Sequence, residues 1–265
     1  LADLGADVVL LCRSRERGEQ ALERIRSETG NRRVSLELLD VSDLASVRDV
    51  GARLAQLAVD VLIHNAGVLP DERGETRDGL ELTLATHVAG PWLLTRLLEP
   101  RLRESKDGRV IWVSSGGMYT RRLALRDPNW ERRKYDGVRA YAETKRAQVV
   151  LSELWAEELA GSSVVVNAMH PGWADTPSVR TALPVFHRVT RAILRTPEQG
   201  ADTVVWLAAA PPPRAWTGRF FFDHTPRRTY LLPFTRETED ERQALRQHCE
   251  TWSDARASAN KEILR

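Results

Sequence analysis

A chain of 265 residues can bury a sizeable core, and with 42% hydrophobic and 29% charged side chains it has the make-up of a globular protein, not of a disordered one. Its 39 basic and 37 acidic groups nearly cancel, which argues against a general nucleic-acid or membrane-surface binder, since either shows a basic excess. Two cysteines, Cys12 and Cys249, are too few for a disulfide scaffold and point to a reducing, cytoplasmic setting, and no apolar run reaches the roughly 18 residues of a membrane span.

In chain order, Val8–Cys12 is an apolar run of strand type, followed by an amphipathic helix over Glu16–Glu28 that Gly30 stops. Val34–Leu39 predicts a second strand, Asp43 caps a helix running to about Leu57, and Asp60–His64 predicts a third strand. A long helix is expected from roughly Asp78 to Arg103, kinked at Pro91, which has no N–H to give. Arg109–Ser114 predicts a fourth strand; an Arg-, Pro- and Trp-rich loop then leads to a helix from about Val138 to Ala160 and a strand over Ser163–Met169. Pro177–Arg195 reads as a helical flap, and Pro197 opens a helix to about Ala209. Gly218–Phe222 predicts the last strand, and Glu237–Ile263 a polar, loosely packed terminal helix.

Strand and helix alternate from end to end, so the expected fold is α/β, a doubly wound, Rossmann-type parallel sheet with helices on both faces. Such a sheet binds its ligand at the carboxyl ends of the strands. Without a linker, repeat or low-complexity stretch, residues 1–265 are expected to form one domain, a core to residue 222 and a helical extension from 223.

Tyr141 and Lys145 stand four residues apart on a predicted helix, one turn above each other on the same face. A phenol, with a pKa of about 10, is a poor base at neutral pH, and a neighbouring ammonium draws it towards a useful value for proton transfer. The plain alternative is a surface pair of no consequence. The strand Arg109–Ser114 ends in Ser114-Ser115-Gly116-Gly117, which holds a hydroxyl at its carboxyl end beside glycines that let a substrate close. In a parallel sheet the next helix brings Tyr141 to that same edge, so Ser115 is placed to bind a carbonyl oxygen while Tyr141 supplies the proton. A strand-ending turn is the plain reading of that segment.

Gly108-Arg109-Val110-Ile111-Trp112-Val113-Ser114-Ser115, Tyr141-x-x-x-Lys145 and Pro171-Gly172-Trp173-Ala174-Asp175-Thr176, with Asp40-Val41-Ser42-Asp43 and Asn65-Ala66-Gly67 in order, resemble the short-chain dehydrogenase/reductase family over about residues 1–222. The resemblance implies an oxidoreductase that interconverts a carbonyl and an alcohol, as a homodimer or homotetramer. Trp112, Met118, Tyr119, Trp130 and Trp173, near the predicted mouth, point to a small lipophilic substrate, with core or loop packing the equal alternative. It implies that Ser115 orients the carbonyl, Tyr141 is the acid/base, and Lys145 tunes the tyrosine and holds the nicotinamide ribose. It further implies that Asp40 and the Val41 backbone meet the adenine, that Asn65, Ala66 and Gly67 line the adenine-ribose side, and that Pro171, Gly172 and Thr176 meet the nicotinamide. The stretch from Tyr119 to Tyr135 resembles the insertion of the carbonyl-reductase and retinol-dehydrogenase-like branches. At the end of the first strand, Cys12-Arg13-Ser14-Arg15 carries no carboxylate for the ribose 2′-OH of NAD, whereas Arg13 suits the 2′-phosphate, so NADP (NADPH) is the expected cofactor. An Arg13 that merely faces water is the alternative.

Two departures from the family pattern stand out. No Gly-rich turn follows a strand in the first 30 residues, although such a turn brings backbone N–H groups to the pyrophosphate at a helix N-terminus. The expectation is therefore an N-terminally truncated member, lacking the family's first strand and glycine loop, with a gap in the sheet, poor NADP binding and doubtful stability. In addition, His87 stands where the family carries the asparagine of a water-linked proton relay, and His64 replaces the first asparagine of Asn-Asn-Ala-Gly. A histidine at 87 is expected to bond a water or to titrate near neutrality, taking a catalytic part in that relay. No carboxylate, cysteine or second histidine stands at ligand spacing, so no metal site is expected. The competing reading is a catalytically weak or inactive binding or regulatory protein on the same fold.

Overall fold

In the computed structural model, which describes residues 1–173, 194–210, 216–231 and 233–263, the strands fall into two hydrogen-bonded groups. β1 (Val8–Cys12) and β2 (Val34–Leu38) pair in parallel, Val8 opposite Val34. β3 (Val61–His64), β4 (Arg109–Val113), β5 (Val165–Met169), β6 (Arg219–Phe222) and β7 (Thr225–Arg227) follow one another in a second sheet, parallel except for β7. Among the described residues no strand joins β1 to β3. β4 and β5 are buried at every position, as their unbroken apolar runs require of central parallel strands covered on both faces.

Local signals set most helix ends. α1 (Arg15–Thr29) starts at Ser14, whose hydroxyl accepts from the Arg17 N–H, and stops at Gly30 in the left-handed region, φ 69°. α2 (Leu44–Leu54) is capped by Asp43, which accepts from the N–H groups of Ala45 and Ser46. The long helix differs from its expected form. It begins at Leu82, because Thr76 to Gly79 closes a turn with Gly79 at φ 74°, and it comprises α3 (Leu82–Leu84), a π turn (Ala85–Ala89) and α4 (Gly90–Glu104). The irregular turn precedes Pro91 because the missing N–H of a proline is felt at the carbonyl one turn earlier. α5 (Gly137–Glu158) lies against β4 and β5, and α6 (Pro197–Ala209) opens with a full capping box at Thr196 and Gln199.

β7 was not foreseen, since Thr225-Pro226-Arg227 is polar and exposed; a two-residue turn at Asp223-His224, with φ of 52° and 57°, folds it onto β6. The terminal helix α7 (Glu239–Ile263), expected to pack loosely, is instead docked. Leu245 and Cys249 are buried in the main core with Trp92 and Trp155, and Arg242 pairs with Glu153 at 2.7 Å and Glu157 at 2.6 Å on α5. Among the described residues no helix is long and apolar enough to cross a membrane. The expected flap over Pro177–Arg195 falls almost entirely outside the described residues.

Candidate active site

The carboxyl end of β4 builds one wall of the site. The Ser114 side chain turns inward, where its hydroxyl donates to the Lys145 carbonyl at 2.8 Å, so β4 and α5 are locked side by side. Ser115 points the other way, half-buried; its hydroxyl accepts from the Gly117 N–H at 3.2 Å and stands close enough to the Tyr141 phenol to draw its pKa down. Gly137, at the first turn of α5, explains how that helix reaches the edge. A Cβ there would lie 2.0 Å from the Pro70 carbonyl oxygen, so only glycine allows the approach.

Lys145 is 3% exposed, with Nζ donating to the Val113 carbonyl at 2.8 Å and to Gln148 Oε1 at 3.0 Å, and lying 5.5 Å from the centre of the Tyr141 ring. Burial pushes the ammonium down to about 7. Burial also pushes the Tyr141 phenol up, with the Ser115 hydrogen bond pulling against it. The net direction is thus opposite to the lowering expected from the sequence, because desolvation outweighs the Ser115 hydrogen bond.

His87 is fully buried, and both its ring nitrogens are engaged. The Val68 N–H donates to Nε2 at 3.0 Å, so Nε2 must be the acceptor, and Nδ1 carries the proton to Thr144 Oγ1 at 2.8 Å. Thr144 in turn donates to the carbonyl of Ala140 or Tyr141. Burial, then the charge of Lys145, hold His87 well below its ordinary value. The ring therefore neither titrates near neutrality nor keeps a nitrogen free for a water, which corrects the expectation of a relay through the imidazole. His64 is likewise buried and neutral, pushed down to about 3, with Nε2 bonded to Thr95 Oγ1 at 2.7 Å. No metal-holding cluster occurs among the described residues.

The other candidate residues lie at the same edge of the strands. Arg13 is exposed just beyond β1. Asp40 follows β2, where its Oδ1 accepts from the Ser42 N–H at 3.0 Å and hydroxyl at 2.6 Å. The Val41 carbonyl packs on α4, where a Cβ at Gly90 would lie only 1.8 Å from its oxygen. Asn65, Ala66 and Gly67 are exposed beyond β3, and a Cβ at Gly67 would come within 3.8 Å of Lys145 Nζ. Pro171 and Gly172 follow β5, with Gly172 at φ 76°, while Thr176 lies outside the described residues. A polar, accessible row thus crosses the carboxyl ends of five strands, which suits an extended dinucleotide at its adenine and nicotinamide ends. A glycine turn for the pyrophosphate is not part of this row.

Three residues of the site escaped the sequence reading. Gln148 and Thr144 neighbour Lys145 on α5, and their helical spacing was the available signal. His170 immediately precedes Pro171-Gly172. Its Nδ1 accepts from the Gly172 N–H at 3.1 Å and its ring lies flat on Phe222, 4.2 Å between centres. Conversely Trp112, Met118 and Trp130, expected near the mouth, are core side chains, whereas Trp173 is 51% exposed.

The family model described as short chain dehydrogenase matches residues 1–184. The stretches Ser114–Tyr119, Met169–Pro177, Gln199–Leu207 and Gly218–Asp223 carry a resemblance to dehydrogenase/reductase member twelve, and the comparison bears it out. Dehydrogenase/reductase SDR family member 12 of Bos taurus is 44% identical over 87% of this chain and 73% of its own length. Retinol dehydrogenase 13 of Homo sapiens is 34% identical over 83% of this chain and 70% of its own. Among solved structures, a short chain dehydrogenase from Escherichia coli CFT073 complexed with NADPH superposes with a TM-score of 0.66 at 26% identity, covering 83% of this chain and 87% of that one. A Mycobacterium paratuberculosis crystal structure gives 0.75 at 28% identity, over 96% and 86%.

Proposed function

The chain belongs to the short chain dehydrogenase family, and from that premise we propose that it is an NADP(H)-dependent oxidoreductase interconverting a lipophilic carbonyl compound and its alcohol. The observation that carries this reading is the Ser115 hydroxyl beside the Tyr141 phenol, with Lys145 one helical turn on, at the carboxyl edge of the sheet. When bound, the reduced nicotinamide supplies the hydride that attacks the carbonyl carbon. Ser115 donates to the carbonyl oxygen and fixes its direction. Tyr141 gives that oxygen its proton, so hydride and proton together convert C=O to CH–OH; in the reverse direction the phenolate takes the hydroxyl proton. Lys145 holds the ribose through an N–H and, when charged, favours the phenolate. Asp40, Val41, Asn65, Ala66 and Gly67 hold the adenine side, Pro171, Gly172 and Thr176 the nicotinamide side, and Arg13 the 2′-phosphate. The exposed Trp173 and the half-buried Tyr119 support an apolar substrate.

A second reading, a catalytically weak binding protein on this fold, is favoured by one observation, the His87 ring bonded at both nitrogens. Turnover of medium-chain and aromatic aldehydes and ketones, followed by NADPH consumption, separates the two. Assayed with the family's first strand and glycine loop fused ahead of Leu1, measurable turnover, faster with NADPH than with NADH and with the preference lost in Arg13→Asp, is the expected result. NADPH binding without turnover of any carbonyl or alcohol supports the second reading, and equal use of both cofactors by the wild type contradicts the role of Arg13.

A further inference from the structure

Gln148 is fully buried three residues beyond Lys145 on α5, and both ends of its amide are used. Oε1 accepts from Lys145 Nζ at 3.0 Å, and Nε2 donates to the His87 carbonyl at 3.0 Å. Its orientation follows from its partners, since an ammonium only donates and a carbonyl only accepts. The His87 carbonyl is open to it for a reason written in the sequence. Pro91, four residues on, has no N–H with which to close an α-helical bond to that oxygen.

An ammonium has three donors, and Val113 and Gln148 take two of them. Neither acceptor is charged. Among the described residues the titratable groups facing Lys145 are His87 from the π turn and Tyr141 from its own helix; β4 brings the Val113 carbonyl, and the segment after β3 the Gly67 backbone. Resting on the reading of Tyr141 and Lys145 above, we propose that Gln148 is a positioning residue for the reaction, bridging the Lys145 ammonium to the main chain of His87 so that one N–H is left for the cofactor ribose and the charge beside Tyr141 is maintained. Because burial already brings Lys145 down to about 7, the loss of one neutral acceptor decides whether it is charged under neutral conditions.

The chain has only four lysines, Lys106, Lys134, Lys145 and Lys261, so lysine side-chain titration by NMR on protein labelled at the lysine ε-carbon resolves Lys145 directly. Lys145→Met assigns the signal. Gln148→Met removes the acceptor and is expected to move the Lys145 titration about one pH unit towards acid; Gln148→Glu places a carboxylate there and is expected to move it about one unit towards alkali. Opposite shifts of this kind do not arise from loosened packing, which affects both variants alike. The pH profile of turnover should follow in the same directions, with kcat changed more than KM. Unmoved Lys145 titrations in the two folded variants overturn the proposal. Should Gln148→Met fail to fold, the Gln148→Glu titration decides alone, an alkaline shift supporting the bridge and an unchanged one refuting it. Opposite shifts in a protein that turns over no carbonyl or alcohol leave the bridge standing and remove the catalytic reading instead.

Discussion

His64 and His87 are two histidines where the family pattern has asparagine, and both are kept neutral by burial. His64 has its consequence in stability. Its folded value of about 3 lies below the unfolded 6.5, so the unfolded state binds the extra proton between those limits. Stability from this group is then fully present above pH 6.5 and is lost as pH falls towards 3, on the order of a few kcal/mol in all. His64→Asn keeps a hydrogen-bonding side chain beside Thr95 without the titration. Denaturant midpoints measured from pH 7 to 5, before most carboxylates protonate, should fall less steeply in His64→Asn than in the wild type. Equal slopes would mean that His64 is not held neutral. At this scale the sequence made Ser115, Tyr141 and Lys145 legible, because residue type and spacing alone bring them to one edge. It did not show that the His87 ring is closed off, since Thr144 and Val68, which close it, lie 57 and 19 residues away along the chain.

Elements with a strong period and a cap were read to within a few residues; the long helix was not. Its π turn depends on what packs against it, and no pattern in Ala85–Ala89 announces that Val41 crowds the next residue. Gly90 has ordinary helical angles, so alanine there meets no backbone strain, only the Val41 oxygen 1.8 Å from where its Cβ would sit. Gly90→Ala should therefore cost about 1–3 kcal/mol or more by overpacking and displace the Asp40–Val41 segment. Gly74→Ala serves as a control, because its Cβ would find Leu82 at an ordinary 3.4 Å. Chemical denaturation of both variants checks this. A Gly90→Ala as stable as Gly74→Ala would show that α4 and the segment after β2 are not packed this closely.

Across the whole molecule, alternating strands and helices made the α/β class legible and set the expectation of a site at the carboxyl edge. The docking of α7 was not, since its polar surface disguises the few apolar positions that reach the core. Arg146 ties the same region to the site from below. It is 1% exposed, one residue beyond Lys145, and pairs with Glu237 just ahead of α7. Cys249 gives a direct readout of that docking, because burial pushes its thiol well up and leaves no accessible thiolate, while Cys12 is partly exposed. In native protein a maleimide should label Cys12 and spare Cys249. Leu245→Asp, which places a charge in the buried contact, should expose Cys249 to labelling. Rapid native labelling of Cys249 in the wild type would contradict a docked α7.

The proposed proton transfer by Tyr141 is tested most directly by the pre-steady-state rate of carbonyl reduction in Tyr141→Phe. The substitution keeps the ring and its contact with His87, 5.4 Å between centres, and removes only the hydroxyl beside Ser115. The expected result is a chemical step slower by about two orders of magnitude or more, with NADPH affinity retained. Wild-type rates in that variant on a confirmed substrate would contradict the account and assign the proton to another group.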